Sequence, residues 1–187
     1  LALTDIAGYE DMIQSQYLPK GEVIVRSHIN NSSELDWYFS YVKGYVKSRP
    51  ASASLVALYD KENDIRYKVC IDDKRMGVKT PECRIRLSEI VLMLAEAYCH
   101  EEMDEQALSW INELRKHRIT GATDLTIDAL PAVRPDNRIV VNAEGEELTP
   151  LMQAILDERR REMFLEGDRW FELKRNGSPE WWIINNG

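Results

Sequence analysis

The sequence has few histidines, no paired cysteines and no long apolar run. Of its 187 residues, three are histidine, and none follows a glutamate at the Glu-x-x-His spacing of helical di-metal sites. The HExxH pattern and the GxGxxG and GxxxxGK[ST] phosphate-binding loops are also missing. No stretch is long and apolar enough to cross a bilayer as a helix. We therefore predict no metal ion and no cofactor.

The three cysteines are scattered along the chain at Cys70, Cys83 and Cys99. They form no CxxC pair, and an odd, dispersed set fits neither a disulfide framework nor a zinc site. We interpret all three as small apolar side chains of the core.

The charge is acidic, because 24 lysines and arginines stand against 32 aspartates and glutamates, a net charge of −8. The acids are dispersed along the chain. A nucleic-acid-binding surface needs a basic patch, so this balance argues against nucleic acid as a partner. It fits a domain that binds a neutral or small ligand, or another protein. With 44% hydrophobic residues, the chain has enough apolar side chains to bury a core.

The first part of the sequence gives mixed signals. Residues 6–17 are predicted as a helix that ends before a Pro-Lys-Gly turn, and the β-branched residues of 22–27 predict a strand. A helix is expected to begin near residue 34, after a polar loop. The stretch from residue 54 predicts a short helix followed by a strand at 65–71.

Two helices are predicted in the middle of the chain. In the segment 85–100 the apolar residues recur at the spacing of one buried helical face, and a second helix, with Asp104 as its cap, follows a short turn. A connection this short makes the helices antiparallel neighbours. Small residues at Ala95 and Ala107 match the tetratricopeptide pattern and allow close approach. One such unit cannot bury both of its faces, so it needs neighbours.

A long connection is predicted at 122–148, with a small hairpin around residues 143–145. Thr149 and Pro150 then open another helix, with threonine as the N-cap and proline at the first helical position. This helix is expected to end at Gly167. A short final helix should begin at Asp168.

The stretch 157–177 is dense in charge, and Glu158, Glu162 and Glu166 fall four residues apart within it. A glycosidase needs two carboxylates facing each other across a cleft, one with a raised pKa, whereas nearby arginines lower carboxylate pKa values. We therefore interpret the stretch as a structural ion-pair motif. Its predicted members are Glu158, Arg159, Arg160, Glu162, Glu166 and Arg169.

Two particular ion pairs are expected in this stretch. Asp157 and Arg161 are four residues apart on one helix, with the acid on the favourable N-terminal side. Arg159 lies on the apolar face of the helix, so it needs a buried carboxylate such as Glu96 from a facing helix.

The same stretch resembles a C-terminal signature of the SusD/RagB family, which runs roughly I-x2-E-R-R-x-E-L-x2-E-G-x-R-x2-D-L-x-R-x-G. Two further segments resemble family motifs in the same order. They are the lead helix around Arg86, Leu87, Glu89, Leu92 and Ala95–Ala97, and the segment with Tyr59, Asp64 and Arg66. The matching signature positions are Ile155, Glu158, Arg159, Arg160, Glu162, Met163, Glu166, Gly167, Arg169, Glu172, Leu173, Arg175 and Gly177. Met163 and Glu172 depart mildly from the family residues.

The resemblance implies a mainly α fold, a tetratricopeptide-like helical scaffold of the SusD type with long loops and a small β-hairpin. It implies a binding protein and not an enzyme. Such proteins capture oligosaccharide or polysaccharide at the cell surface of Bacteroidetes for a SusC-like, TonB-dependent outer-membrane transporter. They are lipoproteins, held on the outer membrane by a lipid anchor on an N-terminal cysteine. On this basis residues 1–187 are expected to be the C-terminal part of one SusD-like domain, with the signal peptide and N-terminal helices outside it.

No binding residue follows from the family motifs, so candidates come from side-chain chemistry. Sugar rings stack on aromatic faces, and exposed aromatic residues are therefore the best candidates. For the stripe at 37, 41 and 45 we favour a buried helix face over a binding site, and Trp110 and Trp170 are expected in the core. The glycan-binding candidates are Trp37, Tyr38, Tyr41, Tyr45, Trp181 and Trp182.

An alternative function is a tetratricopeptide-type adaptor that binds a peptide in a concave face. It predicts at least three repeats in the full protein. Only one unit is found in this sequence, and the connection at 122–148 is not typical of a solenoid.

Overall fold

The protein is mainly helical, as predicted. A computed structural model describes residues 2–15, 20–26, 40–41, 44–45, 48–79, 81 and 84–180. The helices in this part are α1 (Ile6–Gln14), α2 (Ala53–Val56), α3 (Ile65–Cys70), α4 (Leu87–His100), α5 (Asp104–Lys116), α6 (Pro150–Glu162) and α7 (Asp168–Arg175), with a 3-10 turn at Ile127–Ala129. The strands are β1 (Val23–Arg26) and β2 (Arg84–Arg86). No helix in these ranges is both long and apolar enough to span a membrane.

The strands β1 and β2 form a two-stranded antiparallel sheet from distant parts of the chain. Val23 lies opposite Arg86, and Arg26 lies opposite Arg84. The prediction for 22–27 is confirmed for β1, whereas β2 was not predicted, because its Arg-Ile-Arg sequence is too short and too charged to stand out. The pairing places Glu22 beside Arg86, and the Arg86 guanidinium donates to the Glu22 carboxylate at 3.1 Å.

The predicted strand at 65–71 is wrong, because this segment is the helix α3. Asp64 is its N-cap, and the carboxylate accepts the backbone N–H of Arg66. Only Ile71 is extended, in a single bridge with Gly77. The cap and the tertiary contacts of Arg66 outweigh the β preference of the apolar residues.

The predicted helix pair is confirmed as α4 and α5, which pack against each other. Ala95 and Ala107 are both fully buried, together with Ile111. Small side chains at these two positions let the helices approach closely. The predicted cap is wrong by one residue: Met103 is the N-cap without a side-chain bond, and Asp104 is the first helical residue.

The connection before α6 is held by side-chain amides. Asn112 bonds both backbone groups of Leu125, at 2.8 and 2.9 Å. The predicted hairpin is a tight turn closed by one antiparallel bridge between Val141 and Glu147. Gly145 has a φ of +85° there, a conformation that favours glycine.

Helix α6 begins as predicted, with the Thr149 hydroxyl accepting the N–H of Met152 and Pro150 in the first position. It ends at Glu162, earlier than the expected Gly167, which is instead the left-handed residue before α7. The end of α6 lies between two apolar clusters. Phe164 packs on the cluster of α1, α2 and α3, and Met163 belongs to a cluster with residues of α4 and α5.

Candidate functional site

Among the described residues, the densest group of charged side chains is a buried cluster at the end of α6. Five carboxylates and five cations meet there, and we call this set the charged cluster. Nine of these side chains are at most 1% exposed, and Arg161 is 15% exposed. Its members are Glu22, Asp64, Glu158, Glu162, Glu166, Arg66, Lys79, Arg86, Arg118 and Arg161.

Glu162 is at the centre of the charged cluster. Its carboxylate accepts hydrogen bonds from Arg66 at 3.0 Å, from Arg86 at 2.5 Å and from Arg118 at 3.0 Å. The i, i+4 spacing along α6 turns Glu158 and Glu162 to the same side of the helix. Three guanidinium groups from three distant segments therefore converge on one carboxylate.

The arginines are in turn held by the other carboxylates. Arg66 makes a two-point contact with Asp64 at 2.9 and 2.7 Å. Arg86 makes a similar contact with Glu166, with both distances 2.9 Å. These bidentate geometries are the strongest arrangement for a guanidinium and a carboxylate.

Glu22 and Lys79 complete the charged cluster. Glu22 accepts from Arg118 at 2.8 and 2.9 Å and from Arg86 at 3.1 Å, and Lys79 pairs with Glu166. The guanidinium of Arg118 also lies 4.8 Å from the centre of the Tyr9 ring. The cluster thus ties α1, β1, β2, α3 and the end of α5 to α6.

The carboxylates of the α6 side are held ionised. Burial alone would raise the pKa of Glu158, but Arg161 and Arg66 outweigh it and lower this pKa to about 2. For Glu162 burial is likewise outweighed, by Arg118, Arg86 and Arg66, and its pKa lies well below the ordinary value. The pKa of Glu166 is lowered by Arg86 and Lys79 in spite of burial. A general acid needs the opposite shift, so these three groups are suited to holding the fold together.

The sequence predicted the α6 glutamates of the charged cluster but not most of the cations that pair with them. Arg118, just beyond the end of α5, is fully buried in the charged cluster, and the sequence did not predict this position. Glu22, Lys79 and Arg86 were not assigned to the cluster at all. The resemblance did single out Arg66 and Arg86, and their recurrence in family motifs was the available signal.

The predicted ion pairs of α6 are wrong in their partners. Asp157 binds Arg134 at 2.6 Å, and Arg161 pairs with Glu158. Arg159 makes a two-point contact with Asp168, and Glu96 pairs with Arg175.

The predicted aromatic site lies mostly outside the described residues. Trp37, Tyr38, Trp181 and Trp182 lie outside the described residues. The remaining two, Tyr41 and Tyr45, are in helical conformation and are 66% and 54% exposed. The expectation of a buried face is therefore wrong at these two positions.

Tyr45 has a cation close to its ring. The Arg49 guanidinium lies 4.5 Å from the ring centre, and Arg49 donates to the Tyr45 hydroxyl at 2.6 Å. Trp170 was expected in the core, but it is 52% exposed.

At least four surface cavities are lined by described residues, and one of about 390 Å³ lies between α5 and the connection that follows it. The largest, about 550 Å³, lies between the hairpin turn and the start of α5 and is lined by acids such as Glu102, Asp104 and Glu147. An apolar groove of about 440 Å³ runs along α7 and includes Leu55, Phe164 and Trp170. A smaller pocket of about 180 Å³ adjoins it and is lined by four arginines. Among the described residues, no group of three His, Cys, Asp or Glu side chains is arranged to hold a metal ion.

The comparisons with known proteins place the chain in a family. The model of the SusD family matches residues 13–183, which is most of the chain. No curated protein and no solved structure matches the sequence. The matched range contains the whole of α6 and α7 and all ten members of the charged cluster. This chain belongs to the SusD family.

Proposed function

We propose that this protein captures oligosaccharides at the cell surface for a SusC-like, TonB-dependent outer-membrane transporter. The observation that carries the proposal is the family match over residues 13–183. Membership of the SusD family implies carbohydrate or nutrient binding at the cell surface. In this proposal the protein is held on the outer membrane by a lipid anchor and passes the glycan to the transporter.

The arrangement of the charged cluster supports a binding role for the rest of the surface. Its ten side chains form ion pairs with one another inside the protein, so these charges are not available to a ligand. Glu158, Glu162 and Glu166 are held ionised, which opposes their use as proton donors. In the proposed function these residues form a scaffold, and the protein carries its ligand without chemical change.

The glycan-binding surface is proposed to include the aromatic candidates. Exposed tyrosines present flat faces on which the apolar face of a pyranose stacks. Tyr41 and Tyr45 are exposed and helical, which supports this role. Trp37, Tyr38, Trp181 and Trp182 remain candidates from the sequence alone.

The test is a binding titration of the full-length protein with a panel of neutral and acidic oligosaccharides. The variants Tyr41→Ala and Tyr45→Ala are expected to weaken binding roughly tenfold each, since loss of an aromatic contact costs about 0.5–1.5 kcal/mol beyond its buried area. Phe171→Ala is the matched control, because Phe171 is equally exposed and lines none of these four cavities. Binding by no member of the panel, with binding of extended peptides instead, would favour a tetratricopeptide-type adaptor.

A further inference from the structure

The pocket lined by four arginines stands out on a chain with a net charge of −8. We call it the arginine pocket. It lies beside α6 and α7, and the only acid among its described lining residues is Asp136. Its other principal lining residues are Ser52, Ser54, Arg134, Arg138, Arg160 and Arg169.

Two of the four arginines already have carboxylate partners. Arg134 makes a two-point contact with Asp157, with both distances 2.6 Å. Arg169 pairs with Glu172, which is fully buried. Their charges are therefore compensated within the protein.

Arg160 differs from both of these residues. Within the described part of the chain, its side chain bonds only to two hydroxyl groups, those of Ser54 at 3.1 Å and Ser52 at 3.4 Å. Hydroxyl oxygens accept hydrogen bonds but do not neutralise a positive charge. A half-buried guanidinium without a carboxylate is thus directed at the pocket, with the exposed Arg138 beside it.

The surroundings of Arg160 lower the pKa of its guanidinium. Burial lowers its pKa, and the nearby charge of Arg169 lowers it further, in spite of attraction from Asp157 and Glu172. Both effects mean that the charged guanidinium is less well stabilised than it is in water. A bound anion would offset both.

The arginine pocket opens beside the apolar groove. The two cavities share Ser52, Arg160 and Arg169. The groove is walled by apolar side chains such as Leu55, Met163 and Phe164, and its 440 Å³ falls in the range of about 300–1,000 Å³ typical of small-molecule sites. A single ligand with an apolar ring face and an anionic substituent fits both cavities at once.

Resting on the proposed function, we infer that the glycan bound here is acidic: its carboxylate or sulfate group lies in the arginine pocket against Arg160, and its sugar ring lies in the apolar groove. Guanidinium groups recognise planar carboxylates and sulfate-type oxyanions through paired N–H donors. The two serine hydroxyls, which now accept from Arg160, can also donate to the same anion.

The experiment compares charged and uncharged forms of the same oligosaccharide, with the full-length protein. A galacturonic acid hexasaccharide and its methyl ester differ only at the carboxylates. A κ-carrageenan hexasaccharide and its desulfated product differ only at the sulfates. Inorganic sulfate is titrated as a bare anion. Whichever charged glycan binds tighter than its neutral counterpart identifies the source of the anionic group.

The variants remove one positive charge at a time. Arg160→Gln should weaken binding of the charged hexasaccharide by roughly tenfold or more and leave the neutral form unaffected, since a charged hydrogen bond is worth about 1.5–3 kcal/mol. Arg138→Gln, at an exposed loop position, should have a smaller effect in the same direction without a risk to folding. Lys68→Gln is the matched control, because it changes the net charge equally at an exposed position outside the pocket.

The outcomes separate this inference from the proposed function. A preference for a charged glycan that disappears in Arg160→Gln or Arg138→Gln supports it. Equal binding of charged and neutral glycans, or variants that behave like Lys68→Gln, overturns it while glycan capture stands. Binding of inorganic sulfate without tighter binding of either charged glycan also overturns it. Failure to bind any glycan overturns the proposed function as well.

Discussion

Glu162 shows how a carboxylate is made both permanently charged and inaccessible. Moving an ion out of water is costly, and the cost is offset only when good geometry satisfies every charge. Three guanidinium groups surround Glu162, and each of them has at least one further acceptor. The structure thus assigns the α6 glutamates to the interior, although their density of charge first suggests a catalytic or metal site.

Replacing Glu162 by glutamine should therefore destabilise the protein strongly. The amide keeps the size of the side chain but leaves Arg66, Arg86 and Arg118 without their shared counter-charge. Breaking a buried ion pair in this way costs about 3–5 kcal/mol in the free energy of unfolding, measured by urea denaturation.

Glu113→Gln is the control for this variant. Glu113 lies on α5 with its side chain 53% exposed, and within the described part of the chain its carboxylate pairs with His117 at 3.3 Å. Its replacement should change the free energy of unfolding by less than about 0.5 kcal/mol. Equal free energies of unfolding for the two variants would contradict a structural role for Glu162.

Residue spacing predicted which glutamates share a face but not which cations meet them. The i, i+4 rule anticipated Asp157 with Arg161, whereas Asp157 binds Arg134 from the preceding connection. Such a partner is 23 residues away in sequence, and only the fold brings it close. Long, flexible arginine side chains choose among several acids, so sequence spacing alone does not decide the pairing.

At the scale of helices and strands, the sequence predicted an element correctly where its capping residues and its apolar periodicity agree. The start of α6 followed from Thr149 and Pro150, and the pairing of α4 with α5 followed from their apolar faces and short link. The segment 65–71 failed because its apolar residues favour a strand while Asp64 caps a helix. The choice there depends on Arg66, whose helical position reaches the charged cluster. The strand β2 was missed because its pairing partner lies about 60 residues earlier.

The close approach of α4 and α5 predicts that a larger side chain at Ala107 is harmful. Ala107 is fully buried against the other helix, so leucine there requires the helices to move apart. Overpacking of this kind costs about 1–3 kcal/mol in the free energy of unfolding. Thermal or urea denaturation measures it.

Ala97→Leu tests the same substitution on an exposed position of α4. It should change the free energy of unfolding by less than about 0.5 kcal/mol, because leucine is also a good helix former. If Ala107→Leu lowers the free energy of unfolding no more than Ala97→Leu does, the interface between the helices is not tightly packed at Ala107.

For the whole molecule, the charged cluster makes stability depend on pH at the acid end. The folded pKa values of Glu158, Glu162 and Glu166 are lower than the value of about 4.3 for an unfolded chain. Their contribution is therefore complete above about pH 4.3 and is lost as the pH falls towards 2.

Urea denaturation at steps between pH 6 and pH 2.5 measures this dependence. The free energy of unfolding should stay nearly level at first and fall steeply below about pH 4.3. The Glu162→Gln variant should show a shallower fall, because one of the carboxylates is gone. A fall of equal steepness in both proteins would mean that other acids control the transition.

The fold class and the family were accessible from the sequence, since helical periodicity and the three charged motifs are local patterns. The binding surface was less accessible. Arg160 was expected among structural ion pairs because of its neighbours in the motif, yet its bonds are to two serines more than 100 residues earlier. Whether a carboxylate neutralises the charge of an arginine depends on contacts that only the folded chain creates.

The central claim is glycan capture at the cell surface, and one measurement tests it directly. Host cells that make the full-length protein, and cells that lack it, are incubated with fluorescent oligosaccharides, and the surface-bound fluorescence is compared. We predict that loss of the protein reduces capture of at least one acidic oligosaccharide, and that adding back the protein with Glu113→Gln restores it. Equal capture by both cells across the panel, together with no binding by the purified protein, would contradict the account.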